Sequence, residues 1–291
     1  MHSYLRAIGF SNINNRTDIN KLINLVKENA SYRKTVQLSY QMSLTEMSME
    51  FGNDFGITLR GEYDQNDVFH VDNYFPSLLG YHTDVHEEVI LNKRVDAEAY
   101  TGMCDDYRLG VSLIFYLQNV AEYLIIKNEN KDMKLNVPIA LSALSLEGRI
   151  LLPINKNEKQ VKNLSAEKIH RNHLIAEAKK GNQEAIDSLT IDDIDTYAMV
   201  SRRVKKEDVY SIVDTSFIPF GSESDNYTII ATIMDSKIIK NSYTNEELYD
   251  LELNCNDITF RLSINKNDLL GEPLPGRRFK GNIWLQGKIM V

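Results

Sequence analysis

The sequence predicts an α+β protein with two domains joined by a helical segment. A chain of 291 residues is long for one compact domain and short for three. Two regions, near residues 57–75 and 227–264, alternate apolar and polar side chains, which is typical of strands. Between them, residues 156–212 carry the caps and apolar spacing of helices. We therefore expect an N-terminal α+β domain (1–155), a helical connector (156–212) and a C-terminal barrel domain (213–291).

The N-terminal domain contains a predicted β-hairpin, in a mixed sheet. Residues 57–63 and 69–75 each place apolar side chains on one face of a strand. A slip of one residue would turn these side chains to the polar face, so the pattern sets the register. It places Tyr63 opposite Phe69. It also predicts exposed cross-strand pairs, Glu62 with His70 and Arg60 with Asp72, which are more typical of a polar surface than of an acid-base site.

Residues 111–126 form the most apolar stretch of the chain. The stretch is longer than a normal strand, and its polar residues Gln118 and Glu122 are four apart. We expect it to be a helix buried at the centre of the N-terminal domain.

The connector is predicted to contain several helices. Gly181 should end one helix, and Asn182 should cap the next. Thr190 is expected to start a third, with Ile191, Ile194 and Ala198 on one face.

The C-terminal domain is predicted to be a small β-barrel. Three alternating runs lie at residues 227–233, 249–253 and 258–264, with a turn at Cys255 and Asn256 between the last two. A helical turn between Asn265 and Asp268 follows, and then a long final strand. Three strands, a short helix and further strands are the order of an OB-like barrel, and an SH3-like barrel fits nearly as well.

The composition and motifs of the chain argue against several classes of function. A net charge of −8 and a pI near 5.4 argue against general nucleic-acid or membrane binding. The N-terminus lacks a signal-peptide pattern, and two distant cysteines suit a reducing compartment, so we expect a cytoplasmic protein. Phosphate-cradling and nucleophile-elbow motifs are absent from the sequence, and we expect no cofactor.

The best metal candidate is the run around His82, Asp84 and His86. In an extended segment these three side chains share one face and could hold a divalent cation. An exposed loop with two ordinary histidines explains the same residues more simply.

A second candidate lies at Cys104 to Arg108. Paired carboxylates at Asp105 and Asp106 could serve as acid and base, with Tyr107 and Arg108 as neighbouring binding groups. The alternative, which we favour, is that the aspartates cap the helix predicted after them.

The final strand is the most distinctive candidate surface. Read without a bulge, it puts the only tryptophan of the chain on its polar face. An aromatic platform beside cations can stack bases or bind an anionic ligand. Residues 213–291 hold 8 Lys and Arg against 11 Asp and Glu, a net charge of −3, so nucleic acid is disfavoured and a tryptophan in the core or between domains is favoured. The binding candidates on this strand and in the turn before it are Arg277, Arg278, Lys280, Trp284, Gln286 and Lys288.

Five motifs together resemble a known family. They are the stretches at residues 5–10, 59–64, 105–108 with 111–119, 207–215 and 276–287, among them LRAIGF, LRGEYD and GRRFKGNIWLQG. In these the chain resembles a family of clostridia and related anaerobic Firmicutes, a domain of unknown function (number 3881), over nearly its whole length. The resemblance implies a bacterial cytoplasmic protein and carries over no activity and no catalytic residue.

From these observations we expect a non-catalytic binding or adaptor protein that takes a protein partner or a small anionic ligand. Two alternatives stay open. One is an enzyme with a carboxylate site between the domains, with or without a metal, and the other is single-stranded nucleic-acid binding through the barrel.

Overall fold

A computed structural model describes residues 2–39, 42–83, 90–93, 100–106, 111–129, 138–154 and 158–290. It confirms an α+β fold with a small closed β-barrel formed mainly by the C-terminal third. The predicted division into domains ending at residues 155 and 212 stays a prediction.

The chain begins with a four-stranded sheet covered by one helix. A 3₁₀ turn, Ser3–Ile8, precedes helix α1, Arg16–Asn29. Strands β1 (Tyr32–Gln37), β2 (Ser43–Gly52), β3 (Phe55–Tyr63) and β4 (Phe69–Leu78) then pair in chain order. All three pairings are antiparallel, and mixed pairing occurs instead in the larger sheet that contains the barrel.

The predicted hairpin is β3–β4, and its register is confirmed at the turn. Tyr63 pairs with Phe69 and Glu62 with His70. A register shift between Arg60 and Gly61 then places Arg60 opposite Asn73, so the pair with Asp72 is wrong. An extra residue in one strand shifts the pairing beyond it, and alternation alone does not reveal the bulge.

The predicted central helix at residues 111–126 is wrong. Strand β7 (Val111–Leu117) occupies its first half, and helix α2 (Val120–Glu129) begins only after it. β7 pairs with β6 (Tyr100–Asp106), which pairs with β5 (Ile90–Lys93). A largely buried strand has the same continuous apolar run as a buried helix. The spacing of apolar residues therefore does not distinguish a strand from a helix in this stretch.

A helical hairpin connects the two halves of the chain. After β8 (Ile139–Leu151), helices α3 (Glu158–Lys179), α4 (Gln183–Arg203) and the short α5 (Val209–Ile212) follow. Gly181, with a φ of +85°, separates α3 from α4, and the side chain of Asn182 accepts from the amides of Glu184 and Ala185, as predicted. The third helix expected at Thr190 is wrong, because α4 continues through it and Thr190 Oγ1 donates to the Ile186 carbonyl.

The barrel closes with a strand from the N-terminal half. The predicted meander is present as β10 (Asn226–Lys240), β11 (Glu247–Cys255) and β12 (Ile258–Asn265), with β9 (Ser216–Pro219) on β10. A helical turn, Lys266–Asp268, strand β13 (Leu269–Leu270) and the long β14 (Arg278–Ile289) complete it. β8 pairs in parallel with β12 and antiparallel with β14, while β14 pairs with β10. The barrel order is therefore β8, β12, β11, β10, β14 and back to β8.

The turn between β11 and β12 differs by one residue from the prediction. Cys255 pairs with Ile258, so Asn256 and Asp257 form the turn, with φ angles of 52° and 64°. Two successive left-handed residues match the twist of a tight hairpin, and Asn and Asp tolerate this conformation best.

Two hydrophobic cores result. One fills the barrel and extends beneath β7 and α2, with Phe115, Phe260 and Phe279 among its members. The other lies between α1, the four-stranded sheet and the outside of the barrel, and includes Phe51 and Trp284. The four-stranded sheet and the barrel are thus two packed layers.

Arg60 joins these layers, so its predicted place on an exposed face is wrong. Its side chain is 0% exposed and donates from Nε to Glu46 at 2.6 Å. It also donates to the Tyr116 hydroxyl at 2.7 Å and to the carbonyl oxygens of Leu117 and Gln118 at 2.7 and 2.9 Å. The Glu46 carboxylate in turn accepts from the first amides of α2, Val120 and Ala121. This network ties β2 and β3 to β7 and to the start of α2.

Candidate protein-docking site

Trp284 lies between the two layers rather than on an open surface. It is 5% exposed, its ring contacts His2, Tyr4 and Tyr116, and its Nε1 donates to Asp225 at 3.1 Å. Gln286, two residues on, is 0% exposed and bonds to Gln118 and the Pro76 carbonyl. The favoured interpretation of Trp284 is confirmed. Its face cannot stack bases, because the N-terminal layer covers it.

The predicted cations of the final strand are mostly engaged inside the protein. Arg278 is buried and donates to the carbonyl oxygens of Leu152, Val213 and Tyr210 at 2.7 to 3.0 Å, and burial lowers its pKa. Lys280 donates to the Tyr210 hydroxyl at 2.6 Å and lies over its ring. These two side chains anchor α5 to the barrel. Arg277 is more exposed and donates to the Glu272 carbonyl at 2.9 Å.

Lys288 lines a small cleft between the four-stranded sheet and the ends of β7 and β14. The cleft has a volume of about 170 Å³, and Tyr32 and Asn119 also line it. Beside it, the Tyr32 hydroxyl donates to Glu122 at 3.0 Å, and burial together with this carboxylate raises the pKa of Tyr32. Burial acts to raise the pKa of Glu122, but hydrogen bonds from Asn119 and Tyr32 and the charge of Lys34 bring it below its usual value.

The two remaining predicted sites fall largely outside the described residues. Asp105 and Asp106 end strand β6, opposite Ser112 and Val111, so they do not cap a helix. Nothing is described of their side chains, of Tyr107 and Arg108, or of Asp84 and His86. His82 is described, and its Nε2 lies 3.3 Å from Oε2 of Glu252. Within the described ranges, no group of three metal-ligating side chains comes together.

An open groove of about 740 Å³ runs between α1 and β4. Its floor contains Ile19 and Phe69, and its rims carry amide and charged side chains such as Asn20, Asn24 and Lys27. Asn20 and Asn24 are exposed to water, and Lys27 donates to the Phe69 carbonyl at 2.8 Å, so the groove does not by itself select a ligand.

The largest unexplained feature is the hairpin of α3 and α4. The two helices pack mainly against each other, and Arg171 of α3 forms an ion pair with Asp193 of α4 at 2.8 Å. Ala185, near the turn, is the buried apolar residue of α4. Most of the remaining surface of α4 is exposed.

Apolar side chains form a stripe on this exposed surface. Tyr197 is 76% exposed, Ile194 61% and Ile191 59%. At about 100° per residue, these positions and Ile186 fall within one broad face of α4. We call this set the α4 stripe: Ile186, Ile191, Ile194 and Tyr197.

The sequence predicts the apolar face of α4 but not whether that face is buried. The spacing of Ile191, Ile194 and Ala198 correctly predicts an apolar helical face. In the structure Ile191 and Ile194 of that face are exposed, and the described part of the chain does not cover them. Periodicity identifies an apolar face and does not say which surface covers it.

One family model matches the chain. It is described as a domain of unknown function, E. rectale gene description (DUF3881), and it covers residues 5–287. The chain belongs to this family. Comparison with curated proteins finds no match, and neither does comparison with solved structures. The DUF3881 description names no ligand, partner or reaction, so a function can be inferred only from the geometry of the chain. Among the described residues of this DUF3881 chain, no helix is long and apolar enough to cross a membrane.

Proposed function

We propose that this chain is a non-catalytic, cytoplasmic binding or adaptor protein of a Firmicutes bacterium that engages a protein partner through its α3–α4 hairpin. The observation that supports this most is the α4 stripe. Clustered, exposed apolar side chains of this size are typical of interaction surfaces.

The energetics favour a docking role for the stripe. Burying a large apolar side chain contributes about 1.5–3 kcal/mol relative to leaving it exposed. Much of this free energy is not gained on folding of the chain, because the side chains of the stripe remain 39 to 76% exposed. A partner surface that covered them would gain that free energy, and tyrosine is among the residues enriched at binding hot spots.

The other candidate binding residues of the final strand leave the hairpin as the proposed docking element. Trp284, Gln286 and Arg278 are held by internal contacts, and so are unable to touch a ligand. The hairpin, in contrast, keeps its apolar side chains available. The body of the protein then serves as a rigid support for a projecting docking element.

Site-specific photo-crosslinking in the native host would test this function. A crosslinking amino acid at Tyr197 should give discrete protein adducts, whereas the same group at Ile218, an exposed residue of β9, should not. Substituting Ile191 and Ile194 with serine should abolish the adducts formed at Tyr197. Absence of any adduct at Tyr197, or equal adducts at both positions, would contradict the proposal.

A further inference from the structure

The cleft beside Lys288 is lined by hydroxyl groups on the sheet face that is turned towards the barrel. Glu46 and Arg60 of this face contact β7 and α2. Ser48 and Thr58 lie two residues from them on β2 and β3, and therefore on the same face. Ser77 of β4 places its Oγ 3.4 Å from Oγ1 of Thr58, and these three hydroxyl residues all line the cleft. Packed layers normally meet through apolar side chains, so these groups are placed for water or for a polar ligand.

Gln118 presents a hydrogen-bond acceptor to the same cleft. Its side chain is 9% exposed, and its Nε2 donates to the Leu78 carbonyl at 2.8 Å and to Oε1 of Gln286 at 2.7 Å. Because these acceptors hold the nitrogen, Oε1 is turned the other way. Among the described residues Oε1 receives no hydrogen bond, and it is not one of the fully buried atoms that lack a partner, so it reaches open space. This oxygen can accept a hydrogen bond from a ligand.

A cation lies towards one end of the cleft. Lys288 is half-buried there and forms no ion pair or hydrogen bond with the described residues. Its charge acts on Glu122, but Lys34 already lies 3.6 Å from that carboxylate. Two lysines beside one glutamate leave one positive charge that is not offset. Lys288 is therefore able to hold the carboxylate of a ligand.

A carboxylate lies towards the other end. The strand register places Lys34 opposite Glu46, and Glu50 lies four residues, or about 13 Å, further along β2. Glu50 is exposed, and no ion pair joins it to the described part of the chain. The charges of Glu46 and Asp54, which also line the cleft, lie beside those of buried arginines. The cleft thus has one unpaired charge of each sign.

We propose that this cleft binds a small zwitterion of the amino-acid class. Its carboxylate pairs with Lys288, and its ammonium donates to Oε1 of Gln118, with Glu50 attracting the ammonium at longer range. A site with one unpaired charge of each sign favours a ligand that carries both. A phosphate dianion, in contrast, would meet a single unpaired cation.

The size of the cleft limits the ligand further. Its volume of about 170 Å³ is that of about six water molecules and lies below the range of about 300–1,000 Å³ for drug-sized ligands. A single amino acid is of this size. The cleft lies outside the α3–α4 hairpin, so the inference goes beyond the proposed docking function and is tested separately from it.

The first test is thermal unfolding of the full chain with each common L-amino acid in turn at about 10 mM. An amino acid present at tenfold its dissociation constant should raise the unfolding midpoint by about 3 °C. Acetate, inorganic phosphate and glucose at the same concentration should each give a smaller shift, because none of them carries both charges.

The second test identifies the charges that the site recognises. Calorimetric titration should give the dissociation constant of the amino acid with the largest thermal shift. The amide of this amino acid lacks the carboxylate, and its N-acetyl derivative lacks the ammonium. Each derivative should bind at least about tenfold more weakly to the wild type, the loss expected for one charge-assisted hydrogen bond.

The third test places the ligand in the cleft. Lys288→Met should raise the dissociation constant at least about tenfold, whereas Lys288→Arg keeps the charge and should retain most of the affinity. Lys266→Met is the matched control, because Lys266 is also half-buried but pairs with Glu247 outside the cleft, and it should leave the constant unchanged. Circular dichroism should show that each variant is folded.

The results that would overturn the inference are specific. One is a wild type that no amino acid stabilises, as expected of a cleft that holds only water. Others are an affinity that Lys288→Met leaves unchanged, an amide or N-acetyl derivative that binds as tightly as the amino acid, and a larger shift with phosphate or glucose. None of these results bears on crosslinking at Tyr197, so the docking function is judged by its own experiment.

Discussion

Replacing Arg60 with methionine should destabilise the protein more than any loss of a surface ion pair. Methionine keeps much of the length of the side chain but removes the donors to Glu46, to Tyr116 and to two main-chain carbonyl oxygens. Glu46, 1% exposed, would then hold a buried charge whose remaining donors are the amides of Val120 and Ala121. Breaking a buried ion pair from one side costs about 3–5 kcal/mol.

Urea unfolding followed by circular dichroism would measure this loss. The matched control is Arg203→Met, which removes an exposed pair with Glu207 and should cost about 0.5 kcal/mol or less. The double variant Arg60→Met with Glu46→Met should lose less than the sum of the two single variants, because removing the glutamate also removes the unpaired charge. If Arg60→Met costs no more than Arg203→Met, or if the two losses simply add, Arg60 does not couple the layers as described.

Three further predictions concern the barrel and the core cluster that it shares with β6. Trp284 is the only tryptophan, so the native protein should show blue-shifted fluorescence that iodide quenches weakly; quenching as strong as that of free tryptophan would place it on the surface instead. Cys104 and Cys255 are buried, and burial raises the pKa of Cys255 from 9.0 to about 12, so both thiols should label slowly until the protein unfolds; the native labelling rate of Cys255 should still be rising above pH 9, where that of an ordinary thiol levels off, and fast labelling at pH 8 would refute its burial. Asp257→Gly should preserve or raise the urea midpoint, whereas Asp257→Val should cost about 1–2 kcal/mol, because valine disfavours the left-handed turn; equal midpoints would contradict the turn geometry.

The sequence by itself determined several local features. Alternation determined which residues of β14 point into the barrel, since Phe279, Ile283, Leu285 and Ile289 all belong to its core as the pattern predicts. Asn182 as a cap and the register at Tyr63 and Phe69 are likewise confirmed. These features depend on interactions between neighbours in the chain or on a period of two, and the sequence contains both.

The tertiary structure decided what covers each face. Trp284 and Gln286 are on the outward side of β14, as alternation predicts, but the N-terminal layer packs over that side, and a candidate binding surface becomes a buried contact. Arg60 follows a polar pattern on its strand and is nevertheless fully buried, because Tyr116 and the carbonyl oxygens of Leu117 and Gln118, more than 50 residues away in sequence, contact it. The α4 stripe shows the opposite case, an apolar face that the rest of the described chain leaves open. Periodicity gives the direction in which a side chain points, whereas burial depends on residues far away in sequence that no local pattern contains.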